Sequence, residues 1–268
     1  MNDRFPSRIV CLTEETTETL YLFGEQDRIV GISGFTVRPP RARKEKPRVS
    51  AFTSAKIDKI TALKPDLVLG FSDLQADIAA ELIRLGIEVH VFNHRSVEEI
   101  LRMMVQLGAI VGAADKAIAW VHEFDRRARQ LTAAAKEIEH RPRVYFEEWP
   151  DPLISGIQWV SELVELAGGE ECFPENACQS LGKNRIIADP MEVVRRQPDI
   201  IIGSWCGRKF RPETVAERPG WEDVPAVQTG HIFEIKSANI LQPGPAALTD
   251  GLSQLIDIVA QWQSTIET

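Results

Sequence analysis

The stretch LKPDLVLGFSD, residues 63–73, has a close counterpart in RRQPDIIIGSWC, residues 195–206. Each closes a helix-like run, turns at Pro-Asp and enters a continuous apolar segment that reaches a glycine. Apolar runs of that length, without alternation, suit strands covered on both faces, as in parallel sheets. The residue before a proline is pushed out of the right-handed helical region, so Pro65 and Pro198 mark helix ends. One such unit specifies a helix-to-strand connection. Two of them specify one plan used twice. The residues around and after the glycines differ: Phe71-Ser72-Asp73 in one, Ser204-Trp205-Cys206 in the other. In open α/β sheets ligands gather beyond the carboxyl ends of strands, so function is expected where the copies diverge.

Outward from these units, the first half alternates strand and helix patterns. RIVCL (8–12) precedes a helix in TEETTETLYLFG closed by Gly24, and RIVGIS (28–33) is the second strand. The loop GFTVRPPRARKEKPRVSAFTS reads as irregular, being rich in proline and basic residues. AKIDKITAL is a helix, DLVLGF a strand, DLQADIAAELIRLG a helix closed by Gly86, and IEVHVFN (87–93) a strand. SVEEILRMMVQLGAIVG follows, with Ser96 and Glu99 placed as a capping box. Residues 113–141 carry Ala117, Val121, Phe124, Ala128, Leu131, Ala135 and Ile138 at spacings of three or four, one apolar helical face. A helix of that length runs roughly 40 Å, and Pro142 ends it. The second half then repeats the order. RVYFEEW (143–149) is a strand, WVSELVELAGG and DPMEVVRRQ are helices, DIIIGSW and HIFEIKS (231–237) are strands, and AALTDGLSQLIDIVAQWQ is the final helix. The fold class predicted is α/β, two lobes of short parallel sheets covered by helices: 1–112, a linking helix 113–141, and 142–268.

Composition narrows the functional classes. The chain of 268 residues is 44% hydrophobic and 26% charged, as soluble globular proteins are. A net charge of −8 argues against nucleic acid or an anionic membrane as partner. The start, MNDRFPSRIVCLTEE, reaches charge before any apolar run of signal-peptide length, and no stretch is long enough to span a bilayer. The expected compartment is therefore cytoplasmic as the chain is written, or extracytoplasmic if an export signal has been removed. Cys11, Cys172, Cys178 and Cys206 form no CxxC pair; Cys172 and Cys178 could be bridged or be reduced thiols, with reduced thiols favoured.

The predicted strand ends carry the candidate ligand contacts. They are Thr13, Glu14 and Glu15; Gly34 and Phe35, with Arg38 close behind; Ser72 and Asp73; and Asn93 and His94. In the second half they are Glu147-Glu148-Trp149, then Trp205-Cys206-Gly207-Arg208, then Ser237-Ala238-Asn239. Trp149 and Trp205, with Trp159 nearby in sequence, could form an aromatic wall for a flat ligand. Plainer readings stand beside these. Glu14 and Glu15 suit helix-cap carboxylates, His94 a capping or surface position, and Arg208-Lys209-Phe210-Arg211 a solvated turn. Catalytic signatures of the GxSxG, HExxH, Walker and GxGxxG kinds are absent. The five histidines show no i, i+4 pair, so no metal site is assigned. A cytoplasmic enzyme or metal-handling protein built on Cys206, His94 and Glu148 is the alternative from another class.

Taken in order, RIVCLTEETTETLYLFGEQDRIVGIS, IDKITALKPDLVLGF, LGIEVHVFN, SVEEIL, WVSELVELAGG and VVRRQPDIIIGSW resemble the periplasmic-binding-protein-like solute-binding proteins of ABC transporters. The resemblance is to the helical-backbone class, of cobalamin and ferric-siderophore type, and it covers nearly the whole chain. EEWPDPLISGIQWVSELVELAGG and GFTVRPPRARKEKP make it closest to the cobalamin-binding branch. The resemblance implies two Rossmann-like lobes, a rigid helix between them, and a ligand held in the cleft with limited closure. It implies a non-enzymatic, monomeric protein with no intrinsic cofactor, a corrinoid ligand, and a permease as partner. Phe35, Trp149, Trp159 and Trp205 would then supply apolar walls, and Arg208, Ser72, Asn93 and Asn239 polar contacts, with Glu14 and Arg38 also at the ligand. Asp58 fits the first of the two acidic positions that dock the transporter; the second falls on Met191, and Glu192 beside it is the acidic group assigned there. A ferric siderophore or haem is the alternative ligand, and Arg38, Arg208 and Lys209 suit it.

Overall fold

The computed structural model describes residues 4–266. The chain divides into two compact units. The first contains residues up to His94, Glu98–Glu123 and Gln242–Ala246; the second contains Arg95–Val97, Phe124–Leu241 and the chain from Ala247 onward. The helix Ala114–Lys136 contributes its first part to one unit and its second part to the other. It is shorter than the predicted span because residues 137–141 leave helical geometry ahead of Pro142.

The first unit is a five-stranded sheet of β1 (Ile9–Cys11), β2 (Ile29–Ser33), β3 (Arg48–Ser50), β4 (Leu67–Phe71) and β5 (Val89–Phe92). The strands run parallel in the order β3-β2-β1-β4-β5. Chain order reverses direction between β1 and β4, which makes their carboxyl ends the switch point of a doubly wound sheet. Helices Glu14–Leu22, Ile57–Ala62 and Ala76–Arg84 connect the strands. The loop expected to be irregular hides the edge strand β3 and a helical turn, Ala42–Glu45.

The second unit contains β6 (Arg143–Pro150), β7 (Leu153–Ser155), β8 (Glu170–Glu171), β9 (Ile200–Gly203) and β10 (Ile232–Glu234). Its main order is β10-β9-β6-β7, with β8 also paired to β6. The expectation of two parallel sheets is corrected here. β6 folds back through Asp151 and Pro152 into β7, and that pair is antiparallel, so the second sheet is mixed. A tight turn can join strands only in that sense. The predicted strand at 231–237 is also shorter: Ser237 begins a helical turn, Ser237–Ile240. The last helix, Leu252–Ile266, is preceded by a π-helical turn at Ala247–Gly251.

The two Pro-Asp units have the same construction. Lys64 (φ 46°) and Gln197 (φ 47°) both adopt the left-handed conformation after their helices, and the proline follows. The next aspartate clamps the start of the neighbouring strand. Asp66 Oδ1 accepts from the Arg8 amide at 2.8 Å, while the Asp66 amide donates to the Arg8 carbonyl at 3.0 Å. Asp199 Oδ2 accepts from the Arg143 amide at 2.8 Å, and the Asp199 amide returns a bond to the Arg143 carbonyl at 2.8 Å. Three residues thus end a helix, turn the chain and set a parallel strand in register.

Candidate functional site

In the second unit the carboxyl ends of β6 and β9 are organised by one side chain. Tyr145 and Glu147 lie two apart on β6, so they share a face. Glu147 is fully buried. Its carboxylate receives the Tyr145 hydroxyl at 3.0 Å, the Trp205 indole N–H at 3.0 Å, and two N–H groups of Arg218 at 2.6 and 2.8 Å. A buried carboxylate is tolerated only when its lone pairs are filled and its charge is matched; here both conditions hold. The result is that Trp205 and Arg218 are held in place in the lining of a cleft of ≈ 460 Å³. Pro150, Asp151, Arg208, Lys209, Arg211 and Thr214 complete its lining.

The loop after β9 is pinned from the other side. Phe210 folds back over Gly203, where an added Cβ would come within 1.9 Å of the phenyl ring. Trp205 meets Phe210 edge-on at 4.8 Å between centroids. Arg208 projects into this region with its guanidinium carbon 5.9 Å from the centre of the Trp149 ring, and the Trp149 N–H donates to the Asp151 carbonyl at 2.8 Å. Three of the predicted contacts, Trp149, Trp205 and Arg208, are therefore neighbours. Trp159 lies elsewhere in this unit: it is 4% exposed and donates its indole N–H to the Ile240 carbonyl at 2.9 Å. Asn239 sits on the turn Ser237–Ile240, with its carbonyl against Gly251. Glu148 is engaged by the buried Arg185 at 2.5 and 3.2 Å, and Cys172 and Cys178 are not joined to each other.

In the first unit the strand ends are more closed. Glu14 and Glu15 open the helix after β1 and are both buried. Burial pushes the Glu14 carboxyl up, and it pushes that of Glu15 up to about 8 against the opposing hydrogen bond from the Thr13 hydroxyl. Arg38 pairs with Glu18 at 2.9 Å, and Glu18 also accepts from the Ala246 amide at 3.1 Å. Ser72 takes φ 62°, is buried, and spends its hydroxyl as acceptor for the Leu74 amide. Gln75 fills the space above Gly70, accepting from the Phe71 amide at 2.9 Å and donating to the Phe52 carbonyl at 2.8 Å. His94 is buried, its Nε2 2.8 Å from the Pro243 carbonyl and its ring 4.9 Å from Phe71. Asn93 is exposed, and so is Phe35, which leaves 56% of its surface to solvent. Among the described residues, no three His, Cys, Asp or Glu side chains are grouped to hold a metal ion.

The two predicted docking acids lie on the short helices that lead into the Pro-Asp turns. Asp58 is exposed on Ile57–Ala62. Glu192, on Met191–Arg196, pairs with Arg195 at 2.7 Å and Arg196 at 3.1 Å, and the Arg195 hydrogen bond leads in holding its carboxyl below the usual range.

The periplasmic binding protein family matches residues 9–238. This chain belongs to that family. Its members bind solutes rather than transform them, which is the non-enzymatic role expected. An ABC transporter substrate-binding lipoprotein of Bacillus subtilis, YvrC, is 24% identical across 95% of this chain and 80% of its own length. The vitamin B12-binding protein of Vibrio parahaemolyticus is 24% identical across 96% of this chain and 90% of its own. In structure, a possible iron-binding periplasmic solute-binding protein from Staphylococcus epidermidis superposes with a TM-score of 0.80, covering 96% of this chain and 99% of that one at 20% identity. That likeness establishes the family fold. Within it, Arg218 and the role of Glu147 as a buried hub are the site features that sequence reading passed over, while Lys209 and Arg211, read there as part of a solvated turn, line the cleft. The spacing of Tyr145 and Glu147 was visible in sequence, whereas the partners at 205 and 218 had no local signal.

Proposed function

We propose that this chain binds a corrinoid as the solute-recognition component of an ABC-type uptake system, outside the cytoplasmic membrane. The observation that carries the reading is the clustering of Trp149, Trp205 and Arg208 at the carboxyl ends of β6 and β9. It occurs in a chain that aligns over 96% of its length with a vitamin B12-binding protein. A corrin is broad, flat and fringed with amides. Indole faces suit its apolar surface and, with both indole N–H groups already bonded to Glu147 and the Asp151 carbonyl, the Arg208 guanidinium suits its carbonyls. In the first unit, the strand-end residues Phe35 and Asn93 are exposed. Asp58 and Glu192 are the acidic groups assigned to a permease. Among the described residues no helix is long and apolar enough to cross a membrane, so in this reading the permease supplies the passage.

A second reading, an anionic iron complex, draws support from Arg208, Lys209 and Arg211 around the same cleft. Calorimetric titration with hydroxocobalamin, haem and a ferric hydroxamate siderophore separates the two. Saturable one-to-one corrinoid binding, weakened by Trp205→Ala, is the expected outcome. Binding of haem or the ferric complex with no heat from any corrinoid would replace it with the second reading.

A further inference from the structure

The cleft after β9 is cationic in a chain of net charge −8. Arg208, Lys209, Arg211 and Arg218 line it, against the single carboxylate of Asp151. Arg218 is neutralised from below by Glu147. Among the described residues the structure records no ion pair for Arg208, Lys209 or Arg211. Thr214 has turned its hydroxyl to the Arg211 carbonyl at 2.8 Å, which anchors the backbone there and leaves the guanidinium uncommitted. Arg208 holds its guanidinium carbon 5.9 Å from the centre of the Trp149 ring, within reach of a cation–π interaction. Three uncommitted cations beside a pocket whose floor is rigidly built would repel one another with the site empty. An oxyanion placed among them relieves that repulsion and gains charge-assisted hydrogen bonds.

We propose that this cleft is an anion subsite that takes the phosphate or carboxylate of the bound solute, so that the protein selects ligands carrying an oxyanion over ones of the same ring system that lack it. The proposal rests on the corrinoid reading for its choice of ligand pair. Cobalamin carries a phosphodiester in its nucleotide loop, and cobinamide has the same corrin without it. The member that carries the phosphodiester is therefore expected to bind about ten-fold tighter or more, a margin set by a charge-assisted bond and reduced by salt.

Two measurements on the intact chain test this. Calorimetry compares hydroxocobalamin with cobinamide at low and high salt, for the native protein and a Lys209→Gln/Arg211→Gln variant. The expected result is a preference for cobalamin that shrinks in salt and collapses toward one in the variant. Separately, pyrophosphate is titrated while the indole N–H signal of Trp205, assigned through Trp205→Phe, is followed by NMR. A saturable shift, lost in the double variant, supports the subsite without any corrinoid. Equal affinity for the two corrinoids with no response to pyrophosphate overturns the subsite and leaves the corrinoid reading intact. A preference for cobalamin unchanged by the double variant overturns it too. A pyrophosphate response with no corrinoid binding keeps the subsite and discards the corrinoid.

Discussion

The turns at Pro65-Asp66 and Pro198-Asp199 are nearly superimposable in their chemistry, yet the strands they launch end differently. Both turns carry a left-handed residue, a proline and an aspartate clamped to a neighbouring strand. Both strands reach a glycine. Above Gly70 the space is taken by Gln75, a polar side chain that ties two backbone groups and closes the strand end. Above Gly203 it is taken by Phe210, which lets the intervening residues bulge outward and places Trp205, Arg208 and Lys209 around a cleft. The same scaffold makes a sealed end in one unit and an open, charged one in the other. If the proposed function holds, binding is expected at the end where Phe210 caps the glycine, not in the repeated turn.

The comparison breaks most severely at Glu147. Glu147→Ala leaves Arg218 partly buried with no counter-charge and strips partners from Tyr145 and Trp205. A loss of about 3–5 kcal/mol is expected, read by urea denaturation, together with loss of ligand binding. Gln75 ties only two backbone groups, and Gln75→Ala should cost clearly less.

Next in size is the pair of glycines. Gly203→Ala would push a methyl group into the Phe210 ring and should cost about 1–3 kcal/mol, with weaker binding as the loop shifts. Gly70→Ala meets the Gln75 amide oxygen at 3.0 Å and otherwise only ordinary contacts with Val91 and Leu12, so the Gln75 side chain need shift by only a few tenths of an ångström and the cost should stay near or under about 1 kcal/mol. Equal losses at both positions would remove the distinction between the two ends.

The smallest effects sharpen the likeness instead. Asp66→Asn and Asp199→Asn should each cost about 1 kcal/mol, equally in the two units, because each removes a charge from an exposed clamp. Burial alone would raise the Asp66 carboxyl, but the Ser7 and Arg8 amides and the Ser7 hydroxyl outweigh it and hold the pKa below its ordinary value of 3.8. With the folded pKa depressed, the contribution is complete above that ordinary value and fades as pH falls through the lower, folded one. Acid titration of stability should therefore show a steeper decline below about pH 4 in the native protein than in Asp66→Asn.

Much of the architecture was legible because it is written in local patterns. Continuous apolar runs marked β4 and β9, three-and-four spacing marked the helix Ala114–Lys136, and Pro-Asp marked the junctions. The edge strand β3 escaped because three residues amid prolines and cations carry no period. The antiparallel β7 escaped because its three residues acquire strand character only by pairing back onto β6. Among the tryptophans, residue type could not separate Trp159 from Trp205. One indole N–H finds the Ile240 carbonyl in the packed interior, and the other finds Glu147 at the edge of a cleft.

By itself, then, the sequence determined the α/β class, the duplicated helix-turn-strand plan and the ends of strands at which to look. Those follow from period, proline stereochemistry and glycine, which act within a few residues. Only the tertiary structure decided that Glu147 organises the cleft, since its indole partner is 58 residues away and its guanidinium partner 71. A buried carboxylate must collect donors wherever the fold brings them, and no local pattern records which ones it will find.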